Sequence, residues 1–471
     1  MKNVVLVLYL AFSSVSIVAQ DTHYWTHQFG ATSTLLSGAN ATVVTDNSAT
    51  INNPGGLALA KQSSISITTN AYGIDKGNFI DGAGVGYNMQ SVGFNSIPLI
   101  LSGIYRPKKF PKWTLGYVMV DKVRYNFNAT QRFDGILNVL DDAYSVGDEE
   151  YVAQVDIKNN ISEIWAGVCV SYRINEHWAI GLGNYGGYRE QQFSYGHVAR
   201  VIANTTGTFE TVSSDFLYNI SYVNVRNIVK LGLSANFDDF SAGLTVTLPG
   251  LTAYSNATLN SDLTGNNINY GTFREDFIAN DRQKNLKAKY RSPFSVSLGL
   301  GKEFAKSKVY LTTEYFSGMN SYVMVEPRPN DFVRPSGFGF ENSRDILLVA
   351  DGRRPVMNIA VGYQAQVHEK IWILAGLRND NTYFDETAED KGILLAITDA
   401  NLYHGSLGAM IKRPKEDLCI GVKASYGRSN TIQFENISEP IDDPLLTGET
   451  SDAVYKYMGI SLIIGYVHYL N

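Results

Sequence analysis

A chain of 471 residues with a formal charge of −6, 18% charged residues and no basic stripe does not suit a nucleic-acid partner. Its two cysteines, Cys169 and Cys419, argue against a disulfide framework or a thiolate metal site. The seven histidines are scattered, and the one helical i, i+4 pair, His23 and His27, lacks the glutamate and third ligand that zinc needs.

Lys2 gives a positive start, residues 4–12 an apolar run, and Ile17-Val18-Ala19 a small-residue end. Residues 1–19 therefore read as a secretory signal peptide, with the mature chain beginning near Gln20. No later stretch has eighteen or so uninterrupted apolar residues, so no transmembrane helix is expected.

Residues 20–61 do not alternate as a strand does. They run through His23-Tyr24-Trp25, Phe29-Gly30-Ala31-Thr32-Ser33 and a small-residue stretch at 37–42. Asp46, Asn47 and Ser48 then lead to Asn53-Pro54-Gly55-Gly56. Small residues with a few polar anchors suit a helical or irregular plug, and Asn-Pro-Gly-Gly forces a turn.

From residue 62 to 471 the pattern has period two. Ile164, Ala166, Val168, Val170 and Tyr172 form one face of a segment, with Gly167, Cys169, Ser171 and Arg173 between them. Phe240 to Leu248, Phe294 to Leu300 and Leu418 to Tyr426 alternate in the same way. Fourteen strands are expected near 62–72, 94–106, 113–127, 151–173, 178–195, 217–237, 240–250, 286–304, 309–323, 357–367, 371–384, 402–412, 418–432 and 455–470. Short connections at 106–112, 175–177, 238–239, 305–308, 368–370 and 413–417 alternate with long ones such as 129–150, 251–283 and 324–356. Turns on one side and loops on the other predict an all-β fold, an antiparallel transmembrane β-barrel of about fourteen strands with an N-terminal plug. Tyr105, Trp113, Tyr172, Trp178, Phe237, Phe240, Phe304, Tyr310 and Trp372 sit near strand ends, where an interfacial aromatic girdle belongs.

Gly181-Leu182-Gly183-Asn184-Tyr185-Gly186 matches a dinucleotide-binding spacing. It continues as strand rather than opening a helix, so it reads as a row of lumen-facing glycines. Gly299-Leu300-Gly301-Lys302 lacks phosphate-loop spacing, and no G-x-S-x-G elbow or Ser/His/acid set can be assembled. No catalytic residues, cofactor or metal are expected.

Asp46, Ser48, Asn53, Pro54 and Gly56 match the D-x-S/A…N-P-A-G signature of the FadL/TodX family of outer-membrane channels for hydrophobic compounds, with Gly55 in place of the alanine. The start His23-Tyr24-Trp25…Phe29-Gly30 resembles the Bacteroidota-type version. The resemblance implies a fourteen-stranded barrel in a bacterial outer membrane, in contact with its lipid. It also implies an N-terminal hatch (Asp46, Ser48, Asn53, Pro54, Gly55, Gly56) and passive transport of a hydrophobic ligand such as a long-chain fatty acid. In the family the ligand leaves sideways through a wall opening made by a kink in the third strand. Here residues 113–127 contain no proline or glycine pair to make one. Arg173, Lys230, Arg378 and Lys423 fall on the expected lumen face. Each is a partner for a ligand carboxylate or a member of a lumen ion network. Similar barrels also serve as accessory subunits of larger outer-membrane secretion or assembly complexes (PorV-like), in which other outer-membrane proteins are the partners. An ordinary diffusion porin would need its plug displaced.

Overall fold

The computed structural model describes residues 22–205, 210–269, 273–335, 342–440 and 445–470. The expected signal peptide, residues 1–19, lies outside the described residues.

The alternating segments form fourteen wall strands. They are β1 (Ser64–Ile80), β2 (Met89–Tyr105), β3 (Trp113–Leu137), β4 (Glu149–Arg173), β5 (Trp178–Ala203) and β6 (Glu210–Asn236). Next come β7 (Phe240–Thr247, continued as Leu251–Asn269) and β8 (Arg274–Leu286, continued as Ser295–Glu303). The remainder are β9 (Ser307–Phe316), β10 (Val356–His368), β11 (Ile371–Asp380), β12 (Leu402–Lys412), β13 (Glu416–Ile432) and β14 (Asp452–Tyr469). Sequence neighbours pair antiparallel, and β1 pairs with β14 from Ser64↔Tyr469 to Ile80↔Val454, which closes the ring. Closure matters because a membrane offers no water to satisfy an open sheet edge. All six short connections lie at the end where the barrel also begins and finishes.

The lipid-facing rows are the ones the alternation selects. Val168, Leu182, Leu244, Leu311 and Val422 are exposed on the outer wall, while their neighbours turn inward. Val168 is 64% exposed and five residues from its turn, near the middle of the apolar band. Val168→Arg is expected to destabilise the barrel by about 2–4 kcal/mol, as cations do at the bilayer midplane. Asn260→Arg, on the polar outer face above the band, should change stability by less than about 0.5 kcal/mol. Urea titration of the barrel folded in lipid vesicles measures both.

Two expectations change. The supposed loop at 251–283 is mostly wall and that at 129–150 is half wall, because β3, β4, β7 and β8 continue well past the membrane. There the outward row turns polar (Asn256, Thr258, Asn260, Asp262) while the inward row keeps Ala257, Leu259 and Leu263 buried. With no lipid to face, the outer row loses the apolar signature of a strand. Tyr310 and Trp372 also leave the girdle. Val309, Leu311 and Ile373 take the lipid side, so period two turns both rings toward a buried cluster that includes Leu36 and Ala39. Trp113, Trp178, Phe237, Phe240 and Phe304 remain outside near the turns.

At the loop end the extended wall is filled. Phe127, Tyr151 and Phe277 from the strands pack with Phe332, Leu395 and Phe434 from the connections in one buried cluster. A small sheet of Met319–Val325, Val349–Arg353 and Ile393–Leu394 braces these connections.

Candidate functional site

The N-terminal segment packs against the inward face of strands all round the ring. Its elements are a short helix, Ala31–Leu35, and two 3₁₀ turns, Asn47–Thr50 and Pro54–Leu59. Asp46 caps the first turn, its Oδ1 accepting from Ser48 N (2.8 Å) and Ser48 Oγ (2.6 Å). Asn53 caps the second, accepting from Gly55 N at 3.0 Å, with Pro54 at the first helical position, where its missing N–H costs nothing. The Asn53 amide also donates to Thr42 O (2.6 Å), Leu233 O (3.0 Å) and Ser234 Oγ (3.0 Å), which ties the turn to β6. A Cβ on Gly55 would stand 2.9 Å from the Gly232 carbonyl, and one on Gly56 would collide with Val44 O. Gly55 thus stands where the segment meets the wall backbone with no room for a side chain. Gly181 lies against Pro54 in the same way within continuous β5, so the glycine-rich match is a packing surface.

Lys230, on the inward face of β6, donates to Ile51 O at 2.9 Å. Arg378 of β11 donates to Thr26 O at 3.2 Å. Lys423, inward on β13, and Arg378 flank His27; burial first, then these two cations, hold that imidazole well below its usual value, so the ring stays neutral. His23 Nε2 is hydrogen-bonded to Ala400 O at 2.8 Å. Arg173 stands apart at the turn end, donating to Pro111 O at 3.4 Å. Structure therefore brings Lys230, Arg378 and Lys423 to the N-terminal segment and leaves Arg173 outside.

A cavity of about 120 Å³ lies between that segment and β3 to β9. Its polar wall holds a cluster that the sequence reading did not select. Glu163 accepts from Arg189 Nη1 (3.0 Å), Arg226 Nη2 (2.5 Å) and Trp165 Nε1 (2.5 Å), and Arg189 Nε donates to Tyr222 OH at 3.0 Å. The guanidinium carbons of Arg189, Arg226 and Arg353 lie 4.5, 4.7 and 4.9 Å from the centre of the Tyr290 ring. Glu163 and Arg189 are direct cross-strand partners, a juxtaposition only the register discloses.

On its other side the cavity meets β3, at Lys122 and Val123. Here the wall is incomplete. Backbone pairing between β2 and β3 is confined to Ile100–Tyr105 with Leu115–Val120. At the point where pairing stops, each strand carries one extra residue. Leu99 bulges β2 beside Pro98, which has no N–H to give, and Lys122 bulges β3 against β4. Farther out, Asn128 N donates to Ser91 Oγ at 3.0 Å. A second cavity of about 60 Å³ opens along this seam, lined by Ser91, Gly93, Arg124, Asn126 and Tyr457 among others. The third strand thus does deviate, through an inserted residue instead of the proline or glycine pair that the sequence lacks. The bulge turns Lys122 inward, where its Nζ donates to Tyr24 O (3.2 Å) and lies 5.4 Å from the centre of the Phe29 ring.

Together these features define a closed fourteen-stranded antiparallel barrel with the fold of a multi-pass outer-membrane β-barrel. Among solved structures it is similar to a FadL homologue of Pseudomonas aeruginosa, with a TM-score of 0.60 and 12% identity over 95% of this chain and 100% of that one. The toluene transporter TodX of Pseudomonas putida aligns with a TM-score of 0.56 and 13% identity over 94% and 99% of the two chains. The toluene transporter TbuX of Ralstonia pickettii aligns at 0.52 and 10% identity over 94% and 98%. No protein-family model and no curated protein matches the sequence. The chain has the FadL/TodX fold along nearly its whole length.

Proposed function

We propose that this protein is a passive outer-membrane channel for hydrophobic small molecules such as long-chain fatty acids, and that residues 20–61 are its hatch. The observation that carries this reading is the unpaired β2–β3 seam beside an internal cavity. A greasy ligand gains by staying out of water, and a side opening lets it pass between lumen and bilayer without a free aqueous step. Asp46, Ser48, Asn53, Pro54, Gly55 and Gly56 shape the turns that seat the hatch against β5 and β6. The solved structures of similar fold that are named as toluene transporters support a hydrophobic ligand class. The buried aromatic cluster at the loop end speaks against a wide water pore.

A bacterial strain lacking its own long-chain fatty-acid channel and expressing this protein is expected to take up labelled palmitate several-fold faster than the same strain with an empty vector. Uptake equal to the vector control, with the barrel present in the outer membrane, would overturn the reading.

A further inference from the structure

We propose that the outer face of the barrel around β13, β14 and β1 holds one molecule of a phosphorylated, multi-acyl glycolipid of the outer leaflet, a lipid A. Its chains lie in a groove on the wall, and its phosphates rest on Lys76, Arg428 and Lys456. The site is on the lipid side of the wall and is independent of the channel reading.

The groove is a consequence of side-chain size. At one height of the apolar band the outward positions of β12 and β13 are Gly405 and Ala424, which are cross-strand partners. Larger exposed residues stand around them, among them Leu377, Tyr403, Tyr426 and Ile460. The hollow has a volume of about 960 Å³ and runs from β10 to β1. Packing does not demand the glycine at its floor, because a Cβ on Gly405 would meet only Leu377 Cδ2, at an ordinary 3.4 Å. A hollow in a lipid-facing wall is filled by hydrocarbon. Its breadth, five strand spacings or roughly 24 Å, seats several chains abreast.

At the loop end of this groove the apolar rows stop at cations. Ile74 is followed on the outward row of β1 by Lys76, Tyr426 on β13 by Arg428, and Met458 on β14 by Lys456. Register gathers the three. Arg428 is directly opposite Lys456, and Lys456 is opposite Asn78, the next outward residue after Lys76. Among the described residues none of the three has an ion pair or a side-chain hydrogen bond. The nearest acid on these outward rows, Asp452, is four residues farther along β14. Like charges directly opposite on a ladder are destabilising, and a phosphate between them converts the repulsion into charge-assisted hydrogen bonds. Lys76 itself lines the groove, so the charged and apolar parts are continuous. Tyr403 and Tyr426, cross-strand partners, stand between them at the level where amphipathic rings meet headgroups.

The occupant therefore joins several acyl chains to more than one anionic group. In barrels of this kind the long loops face outward, so the rim that carries the cations belongs to the outer leaflet. A single-chain acid would leave most of the groove and two of the cations unused.

The test titrates bisphosphorylated lipid A into the full-length barrel in dodecyl maltoside and reads the retained adducts by native mass spectrometry. Lys76→Gln, Arg428→Gln and Lys456→Gln together should weaken the first adduct by about tenfold or more. Removing three exposed cations at the turn end, by Lys108→Gln, Lys109→Gln and Lys415→Gln, should leave it unchanged. Gly405→Leu fills the floor, keeps every charge and should weaken it several-fold. An equal fall in the two triple variants would reduce the effect to overall charge and overturn the site, as would no fall in either. Unchanged binding by Gly405→Leu would place the chains elsewhere and overturn the groove. Phosphatidylglycerol binding the wild type as tightly as lipid A would overturn the assignment to a multi-acyl glycolipid.

Discussion

Oxidising a Val92→Cys, Asn128→Cys barrel is expected to cut palmitate uptake by about tenfold or more, and reduction should restore it. Both positions are exposed on the outer face of the β2–β3 seam where the wall has no backbone ladder, and the strands approach there, Asn128 N donating to Ser91 Oγ at 3.0 Å. A disulfide there would hold the strands together at the height of the seam cavity. The matched control is Ser102→Cys with Val118→Cys, cross-strand partners on the paired part of the same seam. Locking residues that are already laddered should leave uptake intact. Cys169 and Cys419 are buried and unpaired, so they do not compete for the oxidant. Undiminished uptake through the stapled seam would show that the ligand travels by another path.

Asn53→Ala should free the N-terminal segment without opening the ring. The Asn53 side chain is fully buried and serves four partners: Thr42 O, Leu233 O, Ser234 Oγ and Gly55 N. Truncation removes the cap and leaves Thr42 O and Gly55 N without their side-chain partner in a dry site, a loss on the order of 2–4 kcal/mol. The wall keeps its own ladders, so the barrel should still migrate as a folded species on unheated gels. Protease added from the turn side should then cleave residues 22–61 many-fold faster than in the wild type. Asp46→Ala removes only the Ser48 contacts and should cost about 1 kcal/mol, with a correspondingly weaker increase in cleavage. Unchanged cleavage of Asn53→Ala would mean that the segment is held by its close packing alone.

The wall was legible in the sequence wherever lipid imposes a two-residue period. Val168 and Leu244 declare their strands because nothing else makes every second residue apolar. Above the membrane both faces of a strand meet water or packed loops, so the upper parts of β3, β7 and β8 looked like connections. Parity alone placed Lys230, Arg378 and Lys423 on the inner face. It could not show that Glu163 stands opposite Arg189, because that depends on register across strands. The bulge at Lys122 left one trace, the Asp121-Lys122 pair that interrupts the alternation of Leu115, Tyr117 and Met119. That trace became readable only beside the pairing of β4.

Gly181, Gly376 and Gly465 lie on β5, β11 and β14, strands spread around the ring, and each meets the backbone or Cβ of the N-terminal segment with no room for a side chain. A casing that fits its contents this closely has no slack to take up a bulkier lining at those three heights. The segment leads directly into β1, whose pairing with β14 from Ser64↔Tyr469 to Ile80↔Val454 completes the circle. The strand pair that completes the circle is thus joined in sequence to the very residues that set its inner girth.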